Sequence, residues 1–280
     1  MKKIFKLSLA SAAIALIAGS AYAGISNTKH NLSSGGAGNH VTGTESAGTG
    51  TGQICVFCHT PHAANQTTAD GQTITAPLWN KAIPAASGYT LYNTGYSSTI
   101  DGEVLNVGSV SAACLSCHDG SQAMDNLVNA PGSGGLVTGG TNKGYTWSTG
   151  SDIIPDTVAR LGKDLTNDHP IGIQYCGGGI SGTDSTVSGS CKDSDFVRPV
   201  AAKIGTAQVF WVDVTGQQAG TRTKGDIILY TRTFAVGGSG PSVECASCHD
   251  PHVESKGTDN IAFMRVSTSG SAICLACHTK

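Results

Sequence analysis

The pattern C-x-x-C-H occurs four times in this 280-residue chain. The copies are Cys55-Val56-Phe57-Cys58-His59, Cys114-Leu115-Ser116-Cys117-His118, Cys245-Ala246-Ser247-Cys248-His249 and Cys274-Leu275-Ala276-Cys277-His278. No other feature restricts the fold so strongly. Two thiols at this spacing can bond the two vinyl groups on one edge of a porphyrin, and the next residue brings an imidazole beneath the iron. This is the attachment signature of c-type haem, so the sequence predicts four covalent haems. A thioredoxin-like C-x-x-C would occur once, in a βαβ setting that is missing here. Closed tetrahedral zinc sites give no reason for a histidine directly after every pair.

Eight of the ten cysteines are used in this way. Cys176 and Cys191 remain, neither followed by histidine, and are expected to form a disulfide. Of nine histidines, five lie outside the motifs: His30, His40, His62, His169 and His252. Beyond the initiator, Met124 and Met264 are too few for His/Met coordination of four irons. Bis-histidine ligation throughout therefore needs four of the five, with one to spare. His62 follows His59 by three residues and His252 follows His249 likewise, with Pro61 and Pro251 between. A residue so close cannot swing to the opposite face of the same haem, so each is expected to serve the iron of a neighbouring one. The absence of methionine ligation favours low potentials.

Residues 1–23 read as a signal peptide: Lys2, Lys3 and Lys6, an apolar run from Leu7 to Ala18, then Ala21-Tyr22-Ala23 before a mature start at Gly24. The apolar run is too short for a membrane span. Cleavage leaves 14 basic side chains against 19 acidic ones, and no basic stripe suggests nucleic-acid binding. The expected location is extracellular or at the cell surface, with the periplasm as alternative.

Glycine is 38 of 280 residues and aromatics only 6%, so the core needs something besides large side chains. The expected fold for residues 24–280 is a single, mostly irregular domain: a few short α-helices and one candidate β-hairpin, with the chain wrapped around a string of four haems that serves as its core. The hairpin would join residues 207–214 to 226–236, both rich in β-branched and aromatic residues. Helices are expected near Ser111 and Gly270. The order C-x-x-C-H-x-P-H then C-x-x-C-H occurs at 55–118 and again at 245–278, a crude duplication.

The segments Cys55 to His62, Lys29-His30-Asn31-Leu32-Ser33, Asp168-His169-Pro170-Ile171-Gly172 and Ile273 to Lys280 resemble exported multihaem c-type cytochromes of metal-reducing bacteria. Haem count and size resemble in particular the extracellular tetrahaem cytochromes that polymerise into conductive filaments. The resemblance implies bis-histidine irons, haems in alternating parallel and T-shaped contact, and a continuous haem chain through successive subunits. It also implies that a histidine of one subunit can complete a haem of the next. By it, His30 and His169 join His62 and His252 as distal ligands, and His40 competes with His30 or is spare. The central third, with Cys176 and Cys191, lies outside the likeness.

The expected function is therefore electron transfer without catalysis, with self-association into a filament and with redox proteins and external acceptors as partners. A monomeric periplasmic shuttle shares the same chemistry. A multihaem oxidoreductase would need an iron with an open position, and the histidine supply gives no reason for one.

Overall fold

The computed structural model describes residues 24–33, 36, 38, 44–45, 51–124, 126–129, 141–142, 145–146, 153–154, 158–216, 221–253 and 263–280. The signal-peptide segment 1–23 and His40 lie outside them.

The expected hairpin runs become β10 (Ala207–Val212) and β11 (Ile227–Phe234), which pair antiparallel with Phe210 opposite Leu229. They do not stand alone. With β6 (Ile173–Gln174), β9 (Val200–Ile204) and β12 (Gly238–Val243) they form a five-stranded antiparallel sheet in the order β6-β12-β11-β10-β9. Smaller sheets join β1 (Thr44–Glu45), β4 (Tyr145–Thr146) and β3 (Thr141–Asn142), β2 (Thr90–Leu91) with β5 (Asp164–Leu165), and β7 (Ile180–Thr183) with β8 (Thr186–Gly189).

This corrects the expectation of an irregular chain wound on haems. Pairing, not propensity, makes β12: its Gly-Ser-Gly-Pro-Ser-Val sequence carries no strand signal, yet it aligns with β11 from Phe234↔Gly238 to Tyr230↔Ser242. Pro241 lacks an N–H, and β6 on the other side reaches only Ser242 and Val243, so the missing donor falls beyond the end of that strand.

Side chains also fill the interior. One cluster joins Phe210, Val212, Ile227 and Leu229 of the sheet to Tyr175, Ile180, Val243 and Ala276. A second surrounds Ala112, Ala113 and Leu115 with Ile74, Ile83, Leu91, Val107 and Leu165. A third, small one holds Phe57, Met124 and Leu127. The chain economises on aromatic bulk by close backbone approach: a Cβ on Gly182 would meet the Phe210 ring at 2.8 Å.

Cys176 and Cys191 form a disulfide with Cα atoms 5.3 Å apart, so that the β7–β8 hairpin is enclosed between them. Gly177, Gly178 and Gly179, all at positive φ, turn the chain out of the bridge where L side chains would be strained. Replacing both cysteines by serine should lower stability by about 3 kcal/mol, the loop-closure value for a separation of this size. Denaturant unfolding of the oxidised protein and the variant checks it.

Three helices carry motif cysteines: α1 (Ser109–His118), α2 (Cys245–Cys248) and α3 (Ala272–Cys277). Helix α1 is buried on most sides, so its serines need partners; Ser116 Oγ donates to Ala113 O at 2.6 Å and accepts from Trp79 Nε1 at 3.2 Å. Among the described residues no helix is long and apolar enough to cross a membrane.

Candidate functional site

Each motif folds as a single helical turn. The carbonyl of Cys55 accepts the His59 N–H at 2.8 Å, Cys245 that of His249 at 3.1 Å, and Cys274 that of His278 at 2.9 Å; Cys114–His118 closes helix α1. Helices α2 and α3 stop at the second cysteine, and His249 and His278 leave them in extended conformation. A bridge to another segment pins three of the histidines: His59 to Trp79, His249 to Met264 and His278 to Phe196. His118 O accepts from Leu161 N at 2.8 Å. Both thiols and the imidazole of each motif are thereby fixed by local backbone.

The histidines outside the motifs are brought in from far away. The His252 ring lies 6.2 Å from that of His59, centroid to centroid, with planes 15° apart. The His30 ring lies 6.1 Å from that of His118 at 73°. Two imidazoles on opposite sides of one metal atom, each with a metal–nitrogen bond of about 2.0 Å, have centroids about 6.3 Å apart. His169 is the electrostatic neighbour of His278. His62 is exposed, and among the described residues its ring meets no motif histidine; its carbonyl accepts from Thr60 Oγ1 and Asn129 Nδ2. The site also contains a residue that the sequence gave no means to find: Phe263 stacks on His30 at 4.1 Å.

Ring tautomers are set by carbonyl oxygens, which can only accept. His59 Nδ1 donates to Pro77 O at 2.8 Å, His118 Nδ1 to Ala159 O at 2.7 Å, His30 Nδ1 to Pro251 O at 3.1 Å and His169 Nδ1 to Pro170 O at 3.0 Å. His252 Nδ1 faces Asp250 Oδ1 at 3.4 Å. Hydrogen bonding from the His252 side chain holds that carboxyl down at about 2, against the effect of burial. In each ring Nε2 is left as the nitrogen for a metal, the usual arrangement of a ligating histidine. Burial lowers the pKa of His30, against the hydrogen bond to Pro251, and nearby His118, His252 and His249 lower it further. Desolvation and His278 lower His169 likewise, although that residue as a whole is exposed.

The four motifs are also close to one another. Ser111 Oγ of helix α1 donates to Glu244 Oε2 at 2.6 Å and accepts from Cys245 N at 2.9 Å, which ties the second motif to the third. The Cys114 and Cys245 thiols are electrostatic neighbours. Cys58 and Cys117 pack on the same Phe57, Met124 and Leu127 cluster. Burial, with Cys117 nearby, pushes the Cys58 thiol up to about 12; burial, with Cys248 nearby, does the same to Cys277. The segment 245–252 touches three motifs at once: Cys245–His249 is itself the third, Pro251 O orients His30 beside the second, and His252 reaches the first.

Among the described residues no three His, Cys, Asp or Glu side chains converge as an all-protein metal site. A haem iron needs only two axial protein ligands, because the porphyrin supplies the rest. Facing imidazole pairs, free Nε2 atoms and paired thiols on one turn fit c-type haem by this test. Cys55, Cys58, Cys114, Cys117, Cys245, Cys248, Cys274 and Cys277 would hold it covalently. His59, His118, His249 and His278 would be the proximal ligands.

Compared with known protein families and with curated proteins, the chain matches none.

Proposed function

We propose that the chain transfers electrons through four covalently attached c-type haems with bis-histidine iron, as the subunit of an extracellular conductive filament. One observation carries the reading: two rings far from their partners in sequence, His252 and His30, stand opposite the motif histidines His59 and His118 at 6.2 and 6.1 Å. A metal bound between the two rings accounts for that spacing in both pairs. The haem supplies one-electron exchange at an iron that keeps its ligands. The chain's own residues anchor it by thioethers, aim the imidazoles through backbone carbonyls, and close both axial positions against small molecules. Closed positions suit electron transfer and leave no place for a substrate on iron.

The filament part of the reading is supported by His62 and by composition. His62 is solvent-exposed with its ring unengaged among the described residues, which suits a ligand offered to another copy of the chain. Charged residues are only 13%, so copies repel one another weakly. Electron microscopy of the natively secreted protein tests it. Ordered filaments whose iron ligands include His62 of an adjacent subunit are expected. Discrete monomers over a range of concentration and salt would replace the filament by a soluble tetrahaem shuttle.

A further inference from the structure

Lys81 is fully buried, and its amine donates to the carbonyl oxygens of Ala123 at 2.9 Å, Met124 at 3.2 Å and Asn126 at 3.1 Å. Three acceptors match the three N–H donors of the ammonium form, one more than a neutral amine carries. Among the described residues no carboxylate lies within ion-pair distance of it. Two other cations differ: Arg265, also buried, has Asp250 at 3.7 Å, and the partly buried Arg232 has Glu244 at 2.9 Å.

The loop that receives Lys81 is part of the first site's wall. Met124 and Leu127 pack on Phe57, with Val56, Cys58 and Cys117 against the same cluster. Asn80, next to Lys81, donates from Nδ2 to Val56 O at 2.7 Å and from its backbone to Cys58 O at 2.9 Å. The ammonium acts on the Cys58 and Cys117 thiols, but at Cys117 the Asp119 carboxylate opposes it. The first motif therefore has a buried positive charge behind its second cysteine, and the Asp250 carboxylate at its distal histidine, 3.4 Å from His252 Nδ1.

We propose that Lys81 is a fixed buried cation, without a carboxylate partner among the described residues, that raises the reduction potential of the haem at Cys55–His59 relative to that at Cys274–His278. The proposal rests on the haem reading above. Adding one electron to a site lowers its charge by one, and a positive charge nearby favours that state. Burial keeps the interaction from being screened by salt. At an effective dielectric constant of about 20 and a separation of about 12 Å, the bias amounts to about tenfold in the ratio of reduced to oxidised haem. For one electron this equals about 59 mV.

Spectroelectrochemistry with NMR tests it, each haem being assigned to its motif through contacts of its thioether protons. Lys81→Gln removes the charge and keeps two donors. At a fixed potential the reduced-to-oxidised ratio of the first site should fall about tenfold, with the fourth site unchanged within about twofold. Lys81→Arg, which keeps the charge, should hold the first site near its wild-type ratio. An unchanged first site in Lys81→Gln, or equal shifts at all four sites, overturns the proposal. So does a first site that moves as far in Lys81→Arg as in Lys81→Gln. If the variants fail to mature, the wild-type protein decides: reduction of the first site before the fourth supports the proposal, and the reverse order overturns it. Wild-type protein with no haem in its pyridine spectrum would instead refute the functional reading itself.

Discussion

Reduced protein carrying His252→Ala binds carbon monoxide at one more haem than the wild type, about a quarter of the total. His252 stands opposite His59 at 6.2 Å, with planes 15° apart and Nδ1 held by Asp250, so removing it opens one axial position and leaves the proximal side intact. The other histidine at the same place in the duplicated motif behaves differently. His62 faces no motif histidine among the described residues, so His62→Ala opens no iron within its own chain; its expected defect is in assembly. A carbon monoxide difference spectrum of reduced His252→Ala identical to that of wild type would remove His252 from the ligand set.

Glu244→Ala costs about 3–5 kcal/mol, the usual loss when one partner of a buried ion pair is removed. The Glu244 side chain is fully buried and accepts from Arg232 NH1 at 2.9 Å, Ser111 Oγ at 2.6 Å and Ser242 Oγ at 3.1 Å. It also caps helix α2, with its own N–H donating to Ser247 Oγ at 2.9 Å. The substitution therefore leaves Arg232 without its counter-charge and releases the turn that presents Cys245. Simultaneous Arg232→Met should recover part of the loss, because an apolar pair is better tolerated than a lone buried charge. Denaturant unfolding of the single and double variants measures both effects. A loss below about 1 kcal/mol in Glu244→Ala would mean that the junction between the second and third motifs is held by other contacts.

The chemistry of the site was more legible in the sequence than its surroundings. Covalent spacing within five residues is local, so the eight motif cysteines and four motif histidines can be read without a fold. The apolar runs of β10 and β11 are readable for the same reason, since alternation and β-branching are properties of a short segment. The Cys176–Cys191 pair follows from elimination among ten cysteines. What resisted reading is whatever depends on a partner. Strand β12 owes its state to β11, β6 is two residues long, and β9 is Val-Ala-Ala-Lys-Ile with weak strand preference. The scarcity of aromatics suggested that haems stand in for a core, but Ala, Val, Ile and Leu, with Tyr175, Phe210, Phe57 and Met124 among them, fill three clusters.

The same division holds inside the site. Five histidines outside the motifs could be named as ligand candidates, but not matched: His30 and His118 are joined only by the fold, through Pro251 O and Phe263. Lys81 gave no signal at all. A lone lysine reads as a solvated surface residue, and only the three carbonyls around it reveal a buried charge.

Intact mass together with the alkaline pyridine spectrum, on protein produced with c-type maturation, decides most directly whether the chain carries electrons on bound haem. Four haems per chain that resist acid-acetone extraction, with Cys176 and Cys191 still bridged, is the predicted result. A chain of apo mass whose eight motif cysteines all react with an alkylating reagent would contradict it.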